Sequence, residues 1–388
     1  MKTFMISNTK VFDGRENHPA QSVTVQNGKI MAIGTSAPEV TEVIDGTGCT
    51  LLPGLIDAHT HIFPEMLEQA FQFGVTTELD MFSNPRLAKT LKAAARTNKT
   101  MADLRFAGTG ATAPGGHPTG LVAQGFYPPF PTISAPEEAE QFVRDRVAEG
   151  SDYLKLIIDG GDALGYGSHP TLDDATLAAL VRAAHEHGLL AIAHTDSQRA
   201  IRRALQAGVD GLAHCFIDGE LEDDLLETIV KAAVFIMSTL AALEAICGTT
   251  GTARMLSEHQ LMEKLNPPSQ QMVKMAWPQY HGTLALEPSM YAVKALHDAG
   301  IKVLAGSDAG TLGVAHGASL HRELALLVQA GLTPIEALRA ATSVPAAVFQ
   351  LQDRGRIHKG FLADLLLVTG NPLENIADSL NIKQVWRG

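Results

Sequence analysis

The chain has 388 residues, of which 45% are hydrophobic and 19% charged, and 30 Lys and Arg stand against 42 Asp and Glu for a net charge of −12. That length gives one large domain or a large domain with a small companion, and the composition is that of an ordinary soluble globular protein. The acidic surplus argues against nucleic acid or an anionic membrane surface as the main partner.

The three scattered cysteines, Cys49, Cys215 and Cys247, fit a reducing compartment better than a disulfide framework. No apolar run reaches ~18 residues, so no membrane span is expected. The opening "MKTFMISNTKVFDG" has no apolar core of a secretory signal. A cytoplasmic protein with a small-molecule substrate and a homo-oligomeric assembly is the expectation.

The first fifty residues alternate and turn often, in "KTFMISNTKVFDG", "SVTVQNGKIMAIG" and "TEVIDGTG". The Asn-Gly of "QNGK" marks a hairpin between two alternating runs. The C-terminal "GRIHKGFLADLLLVTG" and "NIKQVWRG" have the same character. Residues 1–52 and 353–388 are therefore expected to form a small β-sandwich domain beside a larger one over 53–352.

The middle has a different rhythm: a helical stretch ends in Gly, and an apolar strand follows at once. "FQFGVTTELDM", "VAEGSDYLKLII", "HEHGLLAIAHT", "LQAGVDGLAHC" and "HDAGIKVLAGSD" share it. Gly74, Gly150, Gly188, Gly208 and Gly300 fit the left-handed residue that closes a helix. The repetition predicts parallel strands with crossover helices. Strand centres fall at Leu55, Leu79, Phe106, Leu156, Ile192, Leu212, Ile236 and Leu304, which favours a (β/α)8 TIM-like barrel. A doubly wound open sheet is second, without a G-x-G-x-x-G after any strand. The Gly- and Pro-rich stretch 108–136 and the insertion 241–285 are expected to shape a substrate pocket.

Polar residues then recur at the C-terminal ends of apolar strands. Asp57, His59 and His61 alternate in "GLIDAHTH", so they share a strand face. A lone His on an apolar strand is usually a satisfied core residue; two at i and i+2 can chelate one ion. Lys155 interrupts the apolar run "YLKLIID". Three explanations compete for it: a buried ion pair, a neutral lysine of depressed pKa, or a carbamate formed with carbon dioxide that offers two oxygens to a metal. His194 ends "LLAIAHT", His214 ends "DGLAHCF", and Asp308 ends "KVLAGSDAG". The set has the ligand chemistry of two divalent ions with a position left for water. Zn is the first choice, and Mn, Co or Fe suit the same donors.

"GLIDAHTH", "YLKL", "AIAHT", "GLAHC" and "AGSDAG", in this order, resemble the amidohydrolase superfamily, in the branch of imidazolonepropionase-like and prolidase-like hydrolases. Flanking stretches agree, and the resemblance covers nearly the whole chain. It implies that His59 and His61 hold a first ion with Asp308, and that a carboxylated Lys155 bridges to a second ion held by His194 and His214. The implied reaction is hydrolysis of a C–N or C–O acyl bond, with water activated toward a pKa of ~7 and Asp308 relaying its proton to the leaving group.

The resemblance to the prolidase-like branch implies that His117 in "PGGHPT" faces the substrate and assists the oxyanion; the residues alone equally give a turn histidine between Gly and Pro. His316 and His321 follow the last strand, five residues apart, and both are candidate pocket residues. Asp57 either orients a ligand histidine or caps the barrel floor, and its low position favours the floor. The "HEHG" pair at 185–188 ends a helix and reads as structural. Arg199 and Arg322 are candidates to hold a substrate carboxylate, although a solvated helix face is the commoner fate of arginine. Met262, Met272, Met275, Trp277 and Tyr280 would pack an apolar acyl group or serve as core. A small amide or dipeptide-like substrate is expected. A mononuclear deaminase or cyclic-amide hydrolase of the same fold, and a non-catalytic scaffold that has lost turnover, are the alternatives.

Overall fold

The computed structural model describes residues 3–34, 40–125, 127–165, 167–275, 277 and 284–388. The chain opens with strands β1 (Thr3–Phe12), β2 (Asn17–Gln26), β3 (Lys29–Ile33), β4 (Glu42–Asp45) and β5 (Cys49–Pro53). At the hairpin between β2 and β3, Asn27 and Gly28 have φ of 54° and 72°. Two successive left-handed residues are what a two-residue turn of this twist demands, and Asn-Gly supplies them at low cost.

Eight parallel strands follow: β6 (Leu55–Thr60), β7 (Val75–Asp80), β8 (Asp103–Phe106), β9 (Leu154–Ile157), β10 (Ala191–His194), β11 (Gly211–Ala213), β12 (Phe235–Met237) and β13 (Val303–Leu304). Each expected strand centre lies in one of them. Helices α1 (Met66–Gln72) and α2 (Pro85–Thr97) follow β6 and β7. A short α3 (Gly120–Ala123) and α4 (Ala139–Glu149) follow β8. Then α5 (Asp174–Glu186), α6 (Gln198–Ala207) and α7 (Asp223–Ala232) follow β9, β10 and β11. Gly150 and Gly208 close α4 and α6 at φ 82° and 84°, where a side chain would be strained. Between β12 and β13 lie α8 (Leu240–Ile246), α9 (Gly251–Glu258), α10 (Pro267–Met272) and α11 (Glu287–Asp298); α12 (Ala318–Gln329), α13 (Pro334–Ala340) and α14 (Ser343–Val348) follow β13.

The parallel strands make two ladders, β6-β7-β8 and β9-β10-β11-β12-β13, so the α/β architecture stands but the ladder does not close into a continuous barrel. At each seam the backbone leaves regular strand geometry. Gly108 takes φ 68° after β8, and Asp308 takes φ 56° after the two-residue β13. Scattered backbone hydrogen bonds cross these places instead of a regular ladder. Ala111 donates to the Lys155 carbonyl at 2.8 Å, Asp308 donates to the His59 carbonyl at 2.8 Å, and His61 donates to Ala309 at 2.7 Å.

The last strands, β14 (Leu365–Thr369) and β15 (Ile382–Trp386), join the N-terminal ones in a single mixed sheet of seven strands, ordered β15-β14-β5-β1-β2-β3 with β4 on β1. The expected sandwich is thus one sheet. Leu365 and Leu367 of β14 pack into the core of that sheet, whereas Leu366 and Val368 pack into the main α/β core. The larger unit supplies the second layer that a facing sheet would otherwise provide.

The N-terminal ends of the parallel strands are plugged. Phe349 lies edge-on to Tyr153 and Phe235 at 5.2 and 5.7 Å. Arg354 reaches Asp103, the first residue of β8, at 2.6 Å and Thr77, its neighbour on β7, at 3.2 Å. Breaking such a buried pair leaves an uncompensated charge, so Arg354→Met is expected to cost about 3–5 kcal/mol, read from urea unfolding. The plug leaves the C-terminal ends as the open face. Among the described residues no helix is long and apolar enough to cross a membrane.

Candidate metal centre

At the C-terminal end of β6, His59 is fully buried and neither of its ring nitrogens has a hydrogen-bond partner. Its Nε2 lies 3.4 Å from Asp308 Oδ1, and His61 Nε2 lies 3.1 Å from the same oxygen, without hydrogen-bond alignment. The donor atoms of these three residues fall within 4.8 Å of one another. The glycines of the Asp308 loop make the approach possible: a side chain on Gly310 would sit 2.4 Å from the His61 carbonyl. His61 Nδ1 faces the Phe82 carbonyl at 3.1 Å. A carbonyl accepts only, so Nδ1 carries a proton, and with a cation in the centre Nε2 would present its lone pair to that cation. Burial and the nearby Lys155 push the His59 pKa well below its usual value. Burial opposes ionisation of Asp308, but His61, His214 and Lys155 outweigh it and hold the carboxylate ionised.

Lys155 of β9 is 1% exposed, and its Nζ has no hydrogen-bond partner. Burial lowers its pKa to about 7 against the pull of Asp308 and Asp80. His194 ends β10 with Nδ1 3.0 Å from His214 Nε2, and His214 Nδ1 bonds Thr239 Oγ1 at 2.9 Å. Two imidazole nitrogens that face each other need a shared proton or a cation between them. The rings of His59 and His214 are 4.7 Å apart, so both groups of donors share one mouth. His214, Thr239 and Asp308 all have positive φ, at 79°, 46° and 56°. Such backbone costs of order 1–3 kcal/mol each and persists where surrounding structure holds it, commonly at functional sites.

His117 is exposed at this mouth, its ring stacked on His194 with centroids 5.3 Å apart. The remaining candidates lie elsewhere. His316 does not line the pocket: it is buried, with Nδ1 on Glu78 and Nε2 on the His61 carbonyl. Arg199 is turned to solvent and paired with Asp162 at 3.1 Å. Arg322 is a buried partner of Glu244, with Nε 2.9 Å from its carboxylate. His185 and His187 pair with Asp210 and Glu140 at 2.9 and 3.1 Å, away from the centre. Asp57 accepts from the His59 amide and from the amide and hydroxyl of Ser307, so it ties β6 to the Asp308 loop. Met275 is half exposed, and Tyr280 lies outside the described residues.

Sequence reasoning missed Glu78 and Asp80, two buried carboxylates on β7. Their i, i+2 spacing in "TTELDM" repeats that of His59 and His61 and was the available signal. Asp80 accepts from the Ile62 amide at 3.0 Å and the Ser83 hydroxyl at 2.6 Å. Beside the centre a groove of about 500 Å³ opens between the segments after β7 and β8, lined by Phe82, Tyr127, Phe130, Arg86 and Lys89 among others.

The sequence matches the model of the amidohydrolase family over residues 50–388. An uncharacterized protein of Mycobacterium tuberculosis is 28% identical over 204 residues, 51% of this chain and 47% of the relative, so the match spans about half of that relative's length. The allantoinase of Salmonella choleraesuis is 38% identical over a 69-residue segment, 15% of either chain. Among solved structures, a Xaa-Pro dipeptidase with bound methionine superposes with a TM-score of 0.78 at 23% identity, covering 99% of this chain and 98% of that one. Molinate hydrolase superposes with a TM-score of 0.76 at 18% identity, covering 100% and 93%. At these identities the likeness is one of fold.

Proposed function

The chain belongs to the amidohydrolase family, and on that footing we propose that it is a binuclear metal-dependent hydrolase, built on an eight-stranded barrel, that cleaves a C–N or C–O acyl bond of a small molecule. The observation that carries this reading is the buried, unpartnered amine of Lys155 beside His194 and His214 and next to the His59, His61 and Asp308 cluster. An ammonium stranded there is costly. Combination of the neutral amine with carbon dioxide, releasing one proton, turns it into an anionic donor among imidazoles. The donor set fits a pair of divalent cations, Zn first and Mn, Co or Fe after it. When bound, such cations act as Lewis acids and bring the pKa of water toward ~7.

The chain's own groups divide the remaining work. Asp308 accepts a proton as water adds to the acyl carbon, and returns it to the leaving nitrogen or oxygen as that bond breaks. His61 is held by the Phe82 carbonyl in the tautomer that leaves Nε2 free. His117, at the open rim and stacked on His194, would donate to the carbonyl oxygen. The aromatic groove beside Phe82 would receive an apolar part of the substrate. The likeness to a Xaa-Pro dipeptidase supports a small amide or dipeptide-like compound.

A mononuclear reading, a deaminase or cyclic-amide hydrolase, draws on the fact that His59, His61 and Asp308 make a complete three-donor site alone. The allantoinase segment favours a cyclic amide within it. Metal analysis of purified protein separates the two: close to two ions per chain is expected, and one ion per chain supports the second. Dipeptides, N-acyl amino acids, lactones and aryl amides, assayed with Zn or Mn, are expected to include a substrate. No turnover by a fully metallated protein would argue for a scaffold.

A further inference from the structure

We propose that the buried Glu78–His316 pair is a positioning device that keeps His61 and the Asp308 loop in register and so sets the affinity of the centre for a divalent cation. The proposal rests on the metallohydrolase reading and adds residues which that reading leaves without a role.

Glu78 lies on β7 and is 0% exposed, and His316 is 1% exposed. Both Glu78 oxygens are 2.9 Å from His316 Nδ1. His316 Nε2 is 3.2 Å from the backbone carbonyl of His61. That carbonyl accepts only, so Nε2 carries a hydrogen. Nδ1 faces a carboxylate, so a second proton lies between them. The ring is therefore held at both ends by hydrogen bonds that only this orientation makes. The His316 carbonyl in turn accepts from Gln69 Nε2 at 3.2 Å, which brings α1 into the same contact. His316 stands in the segment that carries Asp308, eight residues further along the chain. One residue thus joins that segment to β7, to the end of β6 and to α1.

Stability alone gives little reason for this arrangement. Buried ion pairs seldom stabilise more than apolar side chains of the same volume, because desolvation offsets their attraction. The pair sits directly under the two ligand-bearing segments, and hydrogen bonds behind metal ligands are where affinity is commonly tuned. Arg354–Asp103 is a comparable buried pair at the plugged end of the strands, far from the candidate ligands, and serves as the control.

The test is zinc affinity of the metal-stripped protein, measured by competition with a chromophoric chelator, alongside the thermal midpoint of the same metal-free sample. The double variant Glu78→Leu/His316→Leu strands no charge. It is expected to fold and to bind zinc about 10–100-fold more weakly, with kcat recovering at saturating zinc. Arg354→Met is expected to lower the thermal midpoint and leave zinc affinity unchanged. If the double variant does not fold, Glu78→Gln, which keeps shape and one acceptor, is expected to lose about tenfold in affinity. A folded variant that binds zinc like the wild type overturns the proposal, and so does an equal loss in Arg354→Met. In either case a wild-type protein with two ions leaves the metallohydrolase reading standing. A wild-type protein that takes up neither zinc nor manganese sinks both.

Discussion

Lys155→Ala is expected to lose bound metal and hydrolytic activity together, and to regain part of both in acetate or formate. The amine is buried, without a hydrogen-bond partner, and next to an imidazole pair whose nitrogens face each other at 3.0 Å. As a cation it would repel metal ions; as a carbamate it would be the anionic ligand that joins the two groups of histidines. Removing a hydrogen bond behind a ligand costs about 10–100-fold in metal affinity or activity, so removing a ligand shared by two ions must cost more. Alanine also vacates the volume of the side chain, which lets a small carboxylate enter and supply the missing oxygens. Metal content by mass spectrometry and kcat in the presence and absence of acetate check the result. An active Lys155→Ala protein with a full complement of metal contradicts the bridging role.

The second large effect belongs to Asp308. Asp308→Asn keeps the shape and one oxygen donor but removes the base. General acid–base groups contribute about 10²–10⁴-fold, and kcat is expected to fall by that order while the His59–His61 pair still takes up metal. In the metal-free chain His61, ahead of His214 and Lys155, holds the carboxylate ionised despite burial; with cations bound beside it, those cations would keep it so. The carboxylate lies within 3.1–3.4 Å of both histidine nitrogens, at the junction of the cluster. Metal content and steady-state rates of the variant, measured on one sample, separate a lost base from a lost ligand. Wild-type turnover in Asp308→Asn would exclude the proton relay.

Much of this arrangement is legible in the residues because its signals are local. Gly74, Gly150, Gly188, Gly208 and Gly300 all have φ between 70° and 86°, so the helix–Gly–strand rhythm marks real helix ends. Asn27-Gly28 fixes a hairpin for the same steric reason. The polar residues that follow apolar strands converge, since parallel strands deliver their C-terminal ends to one face.

What was not legible depends on distant pairing. His316 reads as a pocket residue until Glu78, 238 positions away, is seen against its ring. Arg322 reads as a solvated helix residue until Glu244 of α8 covers it. The small terminal domain reads as a sandwich because each strand buries alternate residues. Nothing local tells that β14 spends one face on the larger unit, through Leu366 and Val368. The missing ladder at the two seams likewise follows from bends at Gly108 and Asp308 that alternation patterns do not register.

The most direct measurement is a crystal structure of protein grown with zinc, with anomalous differences collected on both sides of the zinc edge. Two peaks are expected, one against His59, His61 and Asp308 and one against His194 and His214, with forked density extending from Lys155 between them. A Lys155 side chain that ends in a bare amine paired with Asp80 or Asp308, with no anomalous peak at the mouth, would contradict the account.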